Sequence, residues 1–309
     1  MVLKALIIKM KSKLSFAILL LLLVNTSFAQ APNWEVNQND FQYTMTFVGF
    51  LNIDGITLSS TNDKVAAFVN GECRGVTNLI YVESQKNYYA YLTVFSNVNS
   101  ETIHFKIYNS IKNTVKDIVL TKTFLINQHI GNLFQAQSFA VPALSSNAEM
   151  ADFSFKDVVR KSILFDGAKV IVTLDKLQSV IALNGVFKLS PGATAFIGPD
   201  QQLSGSNSIN FTNPVVFKVL SEDQSVLKEW TVMAQPPLTY YRKNAVCYAN
   251  GEIKVLYPID GEKIAIEFNA QTVATQEITN GQTIFTNLSP GIYKVKAGGV
   301  VKEITILQK

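Results

Sequence analysis

The stretch Val65-Ala66-Ala67-Phe68-Val69-Asn70-Gly71-Glu72-Cys73-Arg74-Gly75-Val76 decides the fold class of this chain. The segments Val65–Val69 and Glu72–Val76 flank Asn70-Gly71, a pair that suits the type I′ turn of a two-residue β-hairpin. Such a tight closure fixes the register and sets Phe68 opposite Cys73 across the two strands. We therefore expect an antiparallel hairpin in which Phe68 and Cys73 face the interior and the Cys73 thiol is unreactive.

The same signals recur along the rest of the chain. Short β-branched and aromatic runs of period 2 alternate with Gly, Asn, Asp and Pro, whereas helix-period patterns are almost missing. Pro and small polar residues interrupt this pattern at 141–147 and 234–237, which we interpret as linkers. The sequence predicts an all-β protein of three tandem antiparallel β-sandwich domains after a cleaved signal peptide. The predicted segments are a signal peptide at 1–29 and domains at 30–141, 151–233 and 238–309.

The first 29 residues have the order of a secretory signal peptide. Four lysines precede the apolar run Phe16–Val24, and the small-residue stretch Ser27-Phe28-Ala29 follows it. Removing this segment takes away four of the 27 basic side chains and none of the 23 acidic ones, so the mature chain is formally neutral. We expect an exported protein that binds no nucleic acid and has no transmembrane segment in the mature chain.

Catalytic motifs are missing from the sequence. His104 and His129 are the two histidines of the chain, and neither stands in a recognised motif. We therefore expect no enzyme, no cofactor and no metal. Calcium in the turns 52–55 and 62–63 is an alternative, although Asn-Asp and Asp-Gly are ordinary turn residues. The two cysteines, Cys73 and Cys247, are predicted to be buried free thiols, with a disulfide between them as the alternative.

A mixed aromatic and polar face is the candidate binding surface. The runs 88–95 and 102–108 predict a second hairpin, in which Ala90, Leu92, Ile103 and Phe105 belong to the core face. The opposite face would carry tyrosine rings for an apolar ligand face, flanked by hydrogen-bond donors. Its predicted binding residues are Tyr89, Tyr91, His104, Lys106 and Tyr108.

Pattern-level resemblances cover most of the mature chain. The first domain, with 66–76, 92–95 and 105–108, resembles β modules of unassigned function in exported Bacteroidota proteins. The middle domain, with Asn213-Pro214-Val215 and Trp230-Thr231-Val232, resembles Ig-like repeats of surface proteins from the same bacteria. These resemblances imply a cell-envelope setting and imply no chemistry.

The last domain is similar to carboxypeptidase-regulatory-like modules of the prealbumin type. The stretch that carries this similarity is 285–295, Phe-Thr-Asn-Leu-Ser-Pro-Gly-Ile-Tyr-Lys-Val. The same stretch is loosely similar to C-terminal sorting domains of type IX secretion, but no Asn-Pro motif opens the domain here.

These observations favour a non-catalytic envelope or secreted protein for binding or adhesion. Its partner would be a protein or a glycan of the cell envelope, and the cell surface or the medium is favoured over the periplasm. One alternative is a carbohydrate-binding accessory protein that uses an exposed Tyr-rich sheet face. The other is a structural subunit that assembles by strand pairing.

Overall fold

The computed structural model describes residues 31–297 and 299–309. The protein is nearly all β, with 60% of its residues in strands and 2% in helices, as predicted. It divides after Leu144 into two compact units, which are described one at a time. The predicted signal peptide lies outside the described residues. Among the described residues, no helix has the length and apolar character needed to cross a membrane.

The first unit is one sheet of nine strands with a main hydrophobic core and a smaller second cluster of Val48, Phe50, Tyr89 and Ala136. Two short 3₁₀ turns, Gln38–Asp40 and Glu83–Gln85, accompany it. Its strands are β1 (Tyr43–Ile53), β2 (Ile56–Thr57), β3 (Lys64–Val69), β4 (Glu72–Val82), β5 (Asn87–Ser96), β6 (Thr102–Asn109), β7 (Thr114–Thr123), β8 (His129–Ile130) and β9 (Gln137–Val141).

The hairpin of β3 and β4 has the predicted register, but Phe68 lies on the other side of the sheet from the predicted one. Phe68 lies opposite Cys73, and the turn residues Asn70 and Gly71 have φ angles of 49° and 83°. The core side of β3, however, is the side that carries Val65, Ala67 and Val69. Phe68 points the other way, where the ring of Trp34 covers it at a centroid distance of 5.8 Å. The predicted inward face was wrong because a segment distant in sequence buries the outer one.

The predicted hairpin of β5 and β6 is also wrong. β5 pairs with β1 and β4, and β6 pairs with β3 and β7. Their predicted core sides are nevertheless confirmed, because Ala90, Leu92, Ile103 and Phe105 all belong to the core of the unit. Strands β5 and β6 therefore contribute to one core from separate parts of the sheet, with β4 and β3 between them in strand order.

The second unit begins with a two-sheet sandwich. One sheet has the order β10-β13-β16, and the other has the order β11-β12-β18-β17-β14-β15. Phe153, Phe211, Phe217 and Trp230 fill the core between them. The strands are β10 (Met150–Phe155), β11 (Arg160–Asp166), β12 (Lys169–Leu174), β13 (Leu183–Leu189), β14 (Thr194–Ile197), β15 (Asp200–Gln202), β16 (Ser208–Ile209), β17 (Val215–Leu220) and β18 (Leu227–Gln235).

The rest of the second unit has its own hydrophobic cluster. A three-stranded sheet, β19-β20-β23, and a four-stranded sheet, β22-β21-β24-β25, enclose it. Lys294 lies opposite Glu303, with Nζ and Oε1 3.7 Å apart. The strands are β19 (Thr239–Lys243), β20 (Gly251–Leu256), β21 (Lys263–Phe268), β22 (Gln271–Glu277), β23 (Gln282–Leu288), β24 (Gly291–Ala297) and β25 (Val300–Ile306).

Strand direction also differs from the prediction of antiparallel sheets. Most pairs are antiparallel, but β1 pairs in parallel with β8 and β9, and β12 pairs in parallel with β18. Local turn signals indicate hairpins only, so pairs between strands distant in sequence could not be predicted. The division into three separable domains remains a prediction.

Candidate functional site

The predicted binding residues on β5 differ in their exposure. Tyr89 is 5% exposed, and its hydroxyl donates to the backbone carbonyl of Leu133 at 3.0 Å. Burial raises the pKa of Tyr89, with a smaller contribution from Tyr91. Tyr91 is 42% exposed and lies beside Val48 of β1. Tyr91 is therefore accessible to solvent, whereas Tyr89 is buried and has a structural role.

The predicted binding residues on β6 are mostly engaged within the unit. Lys106 lies over the ring of Phe68 at 5.4 Å and forms an ion pair with Asp117 at 2.9 Å. Tyr108 is 6% exposed, and its hydroxyl donates to Oδ1 of Asn113 at 2.9 Å. His104 is exposed and lies opposite Phe68.

These five residues do not form the predicted face. The prediction assumed a β5–β6 ladder, and the structure instead places their strands in separate parts of the sheet. Ligand binding at these residues remains a prediction.

The turns considered for calcium have structural roles. Asp63 is 1% exposed, and its carboxylate accepts hydrogen bonds from the backbone NH groups of Ser60 and Ser110 and from the Ser110 hydroxyl. Asn52 is 4% exposed and accepts from the backbone NH of Gly55 at 3.0 Å. Both side chains close turns with their oxygens.

A polar pocket in the second unit is the strongest candidate site. It has a volume of about 580 Å³ and lies beside the β14–β15 hairpin and β16. Gly198 and Pro199 form the hairpin turn, which orients the short polar strand β15. We call it the Gln202 pocket, and its lining residues are Ile197, Pro199, Asp200, Gln201, Gln202, Asn207, Ser208 and Ile209.

Gln202 is the unusual residue of this pocket. Its side chain is 7% exposed, and its Nε2 donates to the backbone carbonyl of Asp200 at 3.0 Å. Its Oε1 has no hydrogen-bond partner, and it is the one buried side-chain polar atom in that condition within residues 31–297 and 299–309. A buried acceptor without a donor costs about 1–3 kcal/mol.

The remaining polar groups of the pocket are accessible. Asp200, Gln201, Asn207 and Ser208 are all exposed. Together they offer a carboxylate and carbonyl oxygens as acceptors, amide groups as donors, and a hydroxyl that can do both. This set can hydrogen-bond a neutral ligand that carries several hydroxyl groups.

Sequence reasoning missed the Gln202 pocket. Asp200-Gln201-Gln202 reads as an ordinary polar turn, because no local signal shows which amide of such a turn becomes buried. The burial of Gln202 depends on the pairing of β15 with β14, in which Ala195 lies opposite Gln202. The alternation of a short strand could at most have indicated that Gln202 and Gln201 face opposite sides.

A protein-family model matches part of the second unit. Residues 150–234 match the family model described as "SGBP, N-terminal". This range runs from β10 to β18 and contains every residue that lines the Gln202 pocket. No curated protein matches the chain in sequence.

Solved structures are only loosely similar to this chain. A protein of Bacteroides thetaiotaomicron described as a glycoside hydrolase is 18% identical over 43% of this chain, with a TM-score of 0.27. The match spans 36% of that protein's length. An I-band fragment of titin is 9% identical over 87% of this chain and 99% of its own, with a TM-score of 0.25. Likenesses at such TM-scores carry no argument about function.

Proposed function

We propose that this protein is a non-catalytic, exported glycan-binding protein of the cell surface, and that it binds glycan at the Gln202 pocket. The matched family consists of surface glycan-binding proteins, and the match contains the pocket. The observation that carries the proposal is Gln202, a buried residue with an unpaired Oε1, in the lining of an open polar pocket. This choice favours the carbohydrate-binding alternative from the sequence over a protein adhesin.

Sugar chemistry suits this pocket. A sugar hydroxyl can donate to Oε1 of Gln202 and, in the same pose, accept from a neighbouring amide such as that of Asn207. Asp200 adds a charged acceptor, and a hydrogen bond to a carboxylate is about twice as strong as a neutral one. Ile197 and Ile209 supply apolar surface against which the C–H face of a sugar ring can pack.

Gln202→Met tests the proposal by removing the amide while keeping the side-chain length. We expect binding to weaken about tenfold, the effect of one hydrogen bond worth roughly 1.4 kcal/mol. The free energy of unfolding should stay constant or rise by up to about 2 kcal/mol, because an unpaired buried acceptor disappears together with one hydrogen bond. Affinity electrophoresis against a panel of polysaccharides, followed by calorimetry with the best one, measures binding.

The matched control is Gln271→Met, at an exposed glutamine of β22 outside the pocket. It should leave binding unchanged. Equal binding by both variants would move the site away from Gln202, and absence of binding to every polysaccharide by the wild type would contradict the proposed function itself.

Assembly by strand pairing is a second candidate function, and β11 favours it. This strand lies at the end of its sheet and pairs with β12 alone among the described strands. Leu164 and Phe165 on β11 are 57% and 38% exposed. An exposed apolar edge strand can add a strand from another chain.

Leu164→Lys tests this second function, because a charged residue on an edge strand opposes strand addition. If the protein assembles through β11, sedimentation velocity should show a concentration-dependent oligomer for the wild type and a monomer for the variant. Monomers of both proteins at every concentration would remove this function.

A further inference from the structure

A second pocket lies between the sandwich and the C-terminal sheets of the second unit. It has a volume of about 380 Å³, within the range of small-molecule pockets. We call it the Tyr257 pocket, and its lining residues are Ile171, Phe211, Thr212, Asn213, Pro214, Met233, Ala234, Gln235, Tyr257, Ile259, Glu262 and Gly299.

Apolar side chains form one side of the Tyr257 pocket. The parallel pairing of β12 with β18 brings Ile171 beside Met233. Phe211, which is 1% exposed, and Ile259 complete this side. Such a surface removes the apolar face of a ligand from water, at roughly 25 cal/mol per Å² of buried area.

Tyr257 is the buried tyrosine of this lining, and it is 2% exposed. Burial, and to a lesser extent the charge of Glu262, raises the pKa of Tyr257 to about 12. The phenol therefore keeps its proton at neutral pH and is a hydrogen-bond donor there.

The other polar groups lie on the same pocket lining. Glu262 brings a carboxylate, and Gln235 brings an amide whose Oε1 accepts from the Thr173 hydroxyl at 3.3 Å. Apolar surface on one side and a donor with acceptors around it match a ligand that has an apolar face and several hydroxyl groups.

We propose that the Tyr257 pocket binds a single pyranose ring, as a second sugar site separate from the Gln202 pocket. This inference rests on the proposed glycan-binding function. The ring would pack its C–H face on Ile171 and Met233 and would accept a hydrogen bond from Tyr257. Its own hydroxyls would donate to Glu262 and to other acceptors of the lining.

Tyr257→Phe tests the inference because it removes only the hydroxyl. The probes are the methyl glycosides of glucose, galactose, mannose and xylose, and saturation-transfer NMR on the full chain measures binding. We expect one or more of them to bind the wild type and to bind Tyr257→Phe about tenfold more weakly, the effect of one lost hydrogen bond. Tyr248→Phe, at a ring that is 92% exposed and outside the pocket, should bind like the wild type.

A second measurement, made on the wild type, tests the site even if Tyr257→Phe does not fold correctly. Ring-labelled tyrosine gives an NMR signal for Tyr257, assigned by its absence from Tyr257→Phe, and this signal should shift when the glycoside is added. Equal binding by wild type and Tyr257→Phe, or an unshifted Tyr257 signal, would overturn the second site. Binding of polysaccharide that depends on Gln202 would survive that result, so the two proposals fail separately.

Discussion

The two cysteines have different environments, which the residue type alone does not predict. Cys73 is half-buried, its Sγ lies 3.7 Å from the carbonyl of Gly75, and burial raises the pKa of its thiol. Cys247 is exposed. Both are free, so the alternative of a disulfide is wrong. The prediction of two buried thiols is wrong for the exposed Cys247 and only partly right for the half-buried Cys73.

Thiol labelling should distinguish these cysteines. A thiolate is the reactive species, and burial lowers both the thiolate fraction and the access at Cys73. We expect Cys247 to react with iodoacetamide at the rate of an exposed thiol and Cys73 to react more slowly, because burial raises the pKa of its thiol and limits access to it. Peptide mass spectrometry over time measures both rates, and faster labelling of Cys73 would contradict the structure.

Tyr257 should make stability depend on pH above 10. Its pKa is 10 when unfolded and about 12 when folded, so between these values the folded state holds a proton that the unfolded state has lost. Stability is therefore complete below pH 10 and falls as pH rises toward 12. We expect a loss of about 2 kcal/mol relative to Tyr257→Phe, measured by urea unfolding at several pH values. Parallel curves for the two proteins would contradict a buried phenol.

The side of the sheet on which a side chain lies was only partly predictable from the sequence. The Asn70-Gly71 turn was readable, because these residues tolerate the positive φ angles that the turn requires. The facing of Phe68 was not readable, because Val65 to Val69 are apolar on both sides of the strand. Trp34, which covers Phe68, is distant in sequence, and only the tertiary structure reveals it.

At the scale of elements, strand existence was easier to predict than strand pairing. β5 and β6 have the alternation of a hairpin, and Ala90 and Phe105 do face the core. The same alternation suits two strands that meet across a core, and the connection 97–101 can serve either arrangement. The two-residue alternation of apolar side chains therefore predicted which side of each strand faces the core. It did not predict which strands pair with one another.

The close approach of β4 to β5 depends on a glycine. A Cβ at Gly75 would lie 2.1 Å from the backbone carbonyl oxygen of Thr93, whose backbone is fixed in β5. Gly75→Ala should therefore lower the free energy of unfolding by about 3 kcal/mol, at the upper end of overpacking costs. Gly55→Ala is the control, because space is open there and only the positive φ of 78° opposes the change, at about 1 kcal/mol. Urea unfolding measures both, and an equal loss would contradict the packing of β4 on β5.

At the scale of the whole molecule, the candidate sites depend on contacts that no sequence motif predicts. The Gln202 pocket joins β14, β15 and β16, and the Tyr257 pocket joins loops and strands from 171 to 299. The all-β class follows from local turn chemistry, which the sequence contains directly. A pocket depends on the way sheets pack, and one buried amide or phenol among many polar residues has no sequence signature.

The two predicted linkers should differ in their response to protease. Pro142 and Ala143 are exposed, and the division into compact units falls directly after them, at Leu144. Pro236 is buried and Leu238 is 4% exposed, so the second linker is packed within its unit. Cleavage requires an exposed segment that can open locally. Elastase, which cuts after small residues, should first release a stable fragment that begins near Ser145 and ends at Lys309, as identified by intact mass. Cleavage at 234–238 at the same rate would instead favour three separable domains.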